Sequence, residues 1–560
     1  MRLLRRGSGL LRLSVVVLLA GAPAVLADQP STPERVTSAV NATRDDVNPH
    51  RTYATPFIAV DPRNANSVVA VAAEVRSRGC GFLRSSDGGR TWGRPEASPA
   101  HEGYPFCFQT ETGPAQAVVA FGRDGTVYYA YAGWDVGDTL SEWPIGTGGG
   151  WRGNVSVILS RSRDLGESWE TTVVRQSRGL VGDAQENNRP VSTLVVDTES
   201  GAEDTVYVGW TSSRRDRNRP MTAVSRDGGR TFSEPIDLTG GYFEDEAVRQ
   251  SMARAAKMER TPAVPAIDFS WPALTLDGQG NLYSVWAARL LRGPQLDNSG
   301  TYLSRSTDGG RTFTVRELSP LPDVLYYPVV KWSEQGGDQG TLHLVYEREG
   351  PQRAKWVQDI FHKRSSDRGD TWSEPVTLND DKDTGQLIGQ FHPNIAIAPD
   401  GRVDVAWWDF RNDGGNFAND VYMTSSGDNG STWAPNIRVT DRSISRRIGV
   451  WYGNSDIRQA PGMAATGNFT VVAWDDTRNA DDTTQAQDIY SAVAQFHAIA
   501  PGTPEAAQYG LAAASGVAAF GLVLLVVAAT RRRRAAASDT TGTAQTGSGT
   551  STTAQPQEAP

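Results

Sequence analysis

Along the interior of the chain the apolar residues fall in short runs, rich in β-branched and aromatic types and closed by Gly, Pro or Asp. Two kinds of run alternate. The first comprises Pro56–Pro62 (PFIAVDP), Pro190–Asp197, Trp271–Gly278, Tyr327–Glu334 and Pro393–Gly401. The second comprises Ser67–Glu74, Thr126–Tyr131, Thr205–Trp210, Asn281–Trp286, Thr341–Tyr346 and Arg402–Trp407. Their composition and boundaries predict β-strands. A last pair, Ala460–Gly467 and Asn468–Trp474, is followed by Asp488–Phe496, which parallels Asp420–Ser425. Only Glu244–Arg260 shows helical spacing, with Val248, Met252 and Ala255 on one side.

Between the pairs an eight-residue pattern, Ser-x-Asp-x-Gly-x-Thr-Trp/Phe, occurs six times with small variations. Its aspartates are Asp87, Asp164, Asp227, Asp308, Asp367 and Asp428, separated by 77, 63, 81, 59 and 61 residues. Asp accepts hydrogen bonds from its own turn, Gly takes the left-handed backbone position, and the closing aromatic packs into the sheet. The motif therefore predicts a hairpin staple, with structural rather than catalytic aspartates. Counting strand pairs gives seven units, the last without a motif. Pro33–Thr37 resembles the outer-strand segment Ala434–Thr440. A strand at 33–37 is expected to close the seventh unit, because a closed ring leaves no exposed sheet edge.

The 57 Gly and 16 Trp residues fit turns and short strands, and the net charge of −9 with no basic stripe excludes a nucleic-acid groove. Residues 1–27 read as a secretory signal: Arg2, Arg5 and Arg6, an apolar run around Leu10–Ala20, then Val25-Leu26-Ala27. An uncleaved anchor helix is the other reading. Residues 28–500 hold the repeat region and 501–509 read as a linker. Gly510–Thr530 is 21 uncharged residues followed by Arg531–Arg534, the pattern of a transmembrane helix with the basic side in the cytoplasm. Residues 531–560 read as a basic, disordered cytoplasmic tail. The expectation is a single-pass cell-membrane protein with its repeat region outside the cell. In an oxidising compartment Cys80 and Cys107 form a disulfide by default, two free buried thiols being the alternative.

The six motif copies make residues 30–497 resemble the Asp-box, or BNR-repeat, propellers that include sialidases. The resemblance implies an all-β fold: a seven-bladed propeller by the unit count, or a six-bladed ring of sialidase type. It also implies that the motif turns lie on one face and any ligand site on the other. The Arg-Ile-Pro of a sialidase is missing; the corresponding strand starts Tyr53-Ala54-Thr55-Pro56-Phe57, and the nearest echo is Arg189-Pro190.

The motif-free face collects the candidate chemistry. Trp407-Trp408-Asp409-Phe410-Arg411-Asn412 and Trp474-Asp475-Asp476-Thr477-Arg478-Asn479 are near copies, with a weaker version at Tyr346-Glu347-Arg348. Asp409, Asp476 and Glu347 are the candidate catalytic carboxylates at a glycosidic bond. Arg189, Arg214, Asp268, Trp271, His392, Arg411 and Arg478 are candidates for gripping substrate. Asp409–Arg411 and Asp476–Arg478 read alternatively as salt bridges repeated because the blade repeats, and the repetition favours that reading. Trp143 and Trp151, in the Gly-rich insertion Gly137–Trp151, are candidate sugar-stacking platforms. No cofactor is expected. The six histidines show no zinc spacing, and Asp380-Asp381-Lys382-Asp383 is only a weak calcium signal. These features suggest recognition of an extracellular polymer such as a carbohydrate; an exo-acting glycosidase and a non-enzymatic scaffold are the alternatives.

Overall fold

In the computed structural model the predicted strand pairs assemble into seven antiparallel sheets of four or five strands, one per unit. The structure describes residues 32–496 except 45–50, 75–78, 98, 100, 108–116, 136–154, 177–186, 215–216, 256–266, 270, 291–298, 320–324, 336–339, 350–356, 382–387, 414, 416, 450–459 and 482. The signal segment 1–27, linker 501–509, transmembrane segment 510–530 and tail 531–560 lie outside the described residues. Among the described residues no helix is long and apolar enough to cross a membrane.

The innermost strands of blades one, three, four, five, six and seven are Tyr53–Asp61, Asn187–Asp197, Ala273–Leu276, Tyr326–Ser333, Gln390–Ile397 and Gly462–Ala465. Ala117–Phe121 holds that place in blade two. Seven blades, not six, close the ring. The second strands of blades two to seven each carry a buried Trp or Tyr, and Trp210, Trp286, Trp407 and Trp474 are fully buried between sheets. Apolar side chains on both faces of every blade thus meet those of its neighbours. Burial of that size is the main driving force for such a ring.

The seventh blade draws its outer edge from the start of the described chain. Arg35 and Val36 pair with Gln495 and Ala494, and Val40 and Asn41 pair with Ser491 and Tyr490. Asn41 Nδ2 and Thr43 Oγ1 also donate to the Asp488 carboxylate, at 3.0 and 3.1 Å. Cys80, in the third strand of blade one, is bonded to Cys107 in a short strand of blade two, with a Cα–Cα distance of 5.8 Å. Closing a loop of 27 residues stabilises the fold by about 3–4 kcal/mol on chain-entropy grounds.

All six motif turns use their aspartates locally. Asp87 Oδ1 accepts from Ser85 Oγ (2.8 Å), Arg90 N (3.1 Å) and Thr91 N (2.9 Å), and Oδ2 from Thr91 Oγ1 (2.6 Å). Matching Ser and Thr or Ser donors serve Asp164, Asp227, Asp308, Asp367 and Asp428. In Asp227, burial works against ionisation, but the donors from Thr231 and Ser225 outweigh it and hold the carboxyl down at about 2. Gly89 at φ +83° shows why Gly is required: a Cβ there would meet Val471 of blade seven at 2.9 Å. Trp92 closes its turn by donating Nε1 to Ser491 Oγ at 2.8 Å, so the motif also ties blade one to blade seven.

The innermost strands of blades one, three, five and six begin one to three residues earlier than their sequence pattern predicts. In blades one, three, five and six a register shift surrounds an x-Pro pair, and pairing resumes upstream of it: Tyr53↔Glu74, Asn187↔Ser213, Tyr326↔Glu347 and Gln390↔Asp409. Proline has no N–H for the ladder, so within a strand it sits best at an edge or at such a bulge. The predicted helix spans Glu246–Ala255, with the Asp245 carboxylate accepting from Ala247 N and Val248 N. Val248 and Met252 pack with Phe243 against Trp286 and Tyr302 of blade four.

One buried pair gives the propeller an acid-sensitive point. His343 Nδ1 lies 3.1 Å from His362 Nε2, and His343 Nε2 lies 3.0 Å from Asn429 Oδ1 in the sixth motif turn. Burial pushes His343 down to about 4, and it pushes His362 well below its ordinary value, with the His343 and Arg364 charges adding to the effect. The unfolded chain holds these protons more tightly, with imidazoles near the usual ~6.5. Stability is therefore full above about pH 6.5 and falls as pH drops towards 4, by roughly 3 kcal/mol for His343. Denaturant midpoints at pH 7.5 and 5.0 should show this fall, and His343→Gln/His362→Gln should flatten it. A slope unchanged in the double variant would place the acid sensitivity elsewhere.

Candidate functional site

The motif turns join third and fourth strands, so they lie on the lower face; the starts of the innermost strands and the second-to-third strand loops lie on the upper. At the axis, the innermost strands of all seven blades surround a cavity of about 220 Å³. Trp271, Tyr327 and His392 line it, together with apolar side chains such as Ile58, Val118 and Leu274.

The x-Pro bulges shape its mouth. Thr55, Tyr327 and His392 each precede proline and each has positive φ (56°, 45° and 51°). This left-handed backbone costs non-glycine residues about 1–3 kcal/mol, which the surrounding ladders must supply. The result is that Tyr327 and His392 stand beside one another, ring centroids 3.9 Å apart and tilted 42°. Tyr326 and Tyr327 are both exposed, at 38%. On the same face, Phe417 in the loop after the second strand of blade six is half exposed and carries the Arg447 guanidinium 3.9 Å from its ring centre.

Glu347 sits just below this pair. It is buried, lies opposite Tyr326 in the ladder, and its Oε2 accepts from the backbone N–H of His392. It thereby fastens blade five to blade six at the mouth. Glu347 follows Tyr346; the residues after the equivalent aromatics are Trp408, Asp475, Ala287 and Thr211. Among these five blades Glu347 is the single glutamate at that place.

Asp409 and Asp476 stand in a different setting. Asp409 is fully buried, and its carboxylate accepts from Trp407 Nε1 (2.9 Å), Arg411 N (2.8 Å) and Arg411 Nη2 (2.8 Å). Asp476 accepts from Trp474 Nε1 (2.9 Å), Arg478 N (2.8 Å) and Arg478 Nη2 (2.7 Å). The guanidinium groups then lie over Tyr422 and Tyr490, at 4.1 and 4.0 Å, and reach Asp380 and Asp441 at 2.7 and 2.8 Å. Burial works to lower Arg411, but its hydrogen bonds and charge contact with Asp409 win and hold it above its ordinary value. Two closely matching networks in consecutive blades bind the second strand to the edge of the preceding blade. Neither carboxylate opens onto the axial mouth.

Of the remaining sequence candidates, Trp271 and His392 meet at the cavity, whereas Arg411 and Arg478 belong to the repeated networks. Arg189, Arg214 and Asp268 lie at upper ends of strands, but their side chains are outside the described residues, as are Trp143 and Trp151 altogether. Asp380 is occupied by Arg411 and by Asn436 N; Asp381 accepts from Asn379; Lys382 and Asp383 fall outside the described residues. The sequence reading passed over Tyr327 and Lys331, both of which line the cavity. Tyr327 shares its x-Pro signal with His392 and Arg189, and Lys331 is a charge inside an otherwise apolar innermost strand; those were the available clues.

No protein-family model matches the chain, and no curated protein is similar to it. Solved structures are similar at the level of fold. The Penicillium chrysogenum α-L-arabinanase complexed with arabinobiose is 14% identical with a TM-score of 0.40, over 67% of this chain and 94% of that one. A PL25 ulvan lyase is 11% identical with a TM-score of 0.44, over 81% and 95%. The Ruminococcus gnavus intramolecular trans-sialidase is 12% identical with a TM-score of 0.38, over 66% and 91%. Likeness at this level concerns the β-propeller fold and says nothing of chemistry.

Proposed function

We propose that this chain is a cell-surface, Asp-box type propeller that binds an extracellular carbohydrate polymer at the axial mouth of its upper face. The observation that carries the reading is the exposed Tyr326 and Tyr327 pair, with Tyr327 held against His392 by strained backbone. Exposed aromatic rings held in fixed orientation offer flat apolar area at low entropic cost, which suits the faces of sugar rings. Export by residues 1–27 and anchoring by 510–530 complete the proposal.

A second reading, a glycoside hydrolase, is favoured by one feature: Glu347 is unlike its counterparts in the other blades and lies beside the tyrosines. A positioned carboxylate at the mouth has the chemistry for acid–base work at a glycosidic bond.

One set of assays tests both. The full-length chain is expected to bind members of a glycan array, and Tyr327→Ala is expected to weaken that binding roughly tenfold or more. In intact cells the propeller should be open to added protease, and the chain should resist carbonate extraction from membranes. Binding unaffected by Tyr327→Ala, or no glycan bound at all, would sink the first reading. Turnover of a glycoside that disappears in Glu347→Gln while binding and melting temperature persist would establish the second.

A further inference from the structure

Among the described residues, the buried arginines Arg402 and Arg446 each have a carboxylate. Arg402 lies on Asp404 at 3.0 Å, and Arg446 reaches Asp475 at 3.3 Å. Lys331 does not follow this rule. It is on the innermost strand of blade five, four residues beyond Tyr327, and lines the axial cavity. Among the described residues that line the cavity it is the one ionic side chain, with no Asp or Glu to meet it. No hydrogen bond or ion pair joins it to another described residue. Loss of water around the ammonium holds it below its ordinary value. Placing a lone ammonium among Val330, Leu274 and Ile395 is unfavourable unless a counter-charge is supplied.

We propose that the axial cavity is an anion-binding site in which the Lys331 ammonium holds one small anion. The cavity, at about 220 Å³, is below the roughly 300–1,000 Å³ of drug-sized ligand pockets and suits a halide or a carboxylate with water. Such an anion neutralises Lys331 and sits on the axis where the seven innermost strands converge. It comes either from solvent, as a free ion, or as the carboxylate of a ligand that enters past Tyr327 and His392. The second source rests on the carbohydrate reading above; the first does not.

Thermal unfolding of the full-length chain distinguishes these cases. Sodium iodide, sodium chloride, sodium acetate and sodium glucuronate are titrated against wild type, Lys331→Met and Lys331→Arg. A ligand that binds only the folded chain raises Tm with the logarithm of its concentration. Wild type and Lys331→Arg are expected to show that rise, and Lys331→Met to bind about tenfold or more weakly. A Lys331-dependent response to iodide or acetate identifies a free ion. A Lys331-dependent response to glucuronate alone, lost also in Tyr327→Ala, identifies a ligand carboxylate. Parallel Tm shifts in wild type and Lys331→Met in all four salts overturn the site, whatever the glycan array shows. Lys331→Gln replaces Lys331→Met if the latter does not fold.

Discussion

Arg402→Met is expected to destabilise the propeller by about 3–5 kcal/mol, the cost of leaving a buried carboxylate without its partner. Arg402 and Asp404 both have fully buried side chains. The guanidinium donates to both Asp404 oxygens, to the carbonyls of Gly467 and Thr466, and to Thr470 Oγ1, so it closes the seam between blades six and seven. Its plane also lies over Phe496, 3.7 Å from the ring centre. Methionine fills the volume but supplies none of the donors. Asp404 would keep only Thr470 as a partner, and two blade-seven carbonyls would lose theirs. Urea unfolding should show the shift. Adding Asp404→Leu should recover part of it, since an apolar pair of similar volume is often as stable as a buried ion pair. A single variant as stable as wild type would mean that water enters the seam.

The second large effect concerns Asp409 and Asp476. Asp409→Ala and Asp476→Ala should each lower stability by about 3–5 kcal/mol, and by similar amounts, because each strands an indole N–H and a partly buried guanidinium in the same arrangement. The equality is the informative part. Trp407, Asp409, Arg411 and Tyr422 reproduce Trp474, Asp476, Arg478 and Tyr490, with ring–guanidinium distances of 4.1 and 4.0 Å. Asn412 and Asn479 extend the match by donating to Asp420 and Asp488 at 2.8 and 2.7 Å. A repeated architectural contact predicts equal losses of Tm and no specific loss of function in soluble, folded protein. If one variant kept its Tm and lost glycan binding or turnover while the other did not, that carboxylate would belong to the ligand site after all.

These cases mark where local sequence stops being informative. The turn motifs were legible because a turn is made by neighbours: Ser85, Asp87, Gly89 and Thr91 satisfy one another within a few residues, whatever the rest of the chain does. The strands were legible from their period and their Gly and Pro boundaries, and counting them gave seven blades. Strand starts were misplaced by three residues at Thr55-Pro56 and His392-Pro393 and by one at Tyr327-Pro328. A proline reads as a break in a linear pattern, whereas the ladder can resume beyond a bulge.

The site was less legible. The repetition of the pattern Trp-x-Asp-x-Arg-Asn favoured a salt bridge over a catalytic carboxylate without settling the choice. That depends on burial and on which partners fill its oxygens, and both are set by a neighbouring blade. By itself, then, the sequence determined the repeat and the hairpin staples, because these follow from short-range hydrogen bonding and side-chain period. Only the tertiary structure decided that Tyr327, Glu347 and His392 come together, that Asp409 and Asp476 are drawn into inter-blade networks, and that Lys331 lines the axial cavity with no carboxylate among the described residues there. Each of those outcomes depends on ring closure, which brings residues from separate blades to one axis and removes the water that would otherwise have answered their charges.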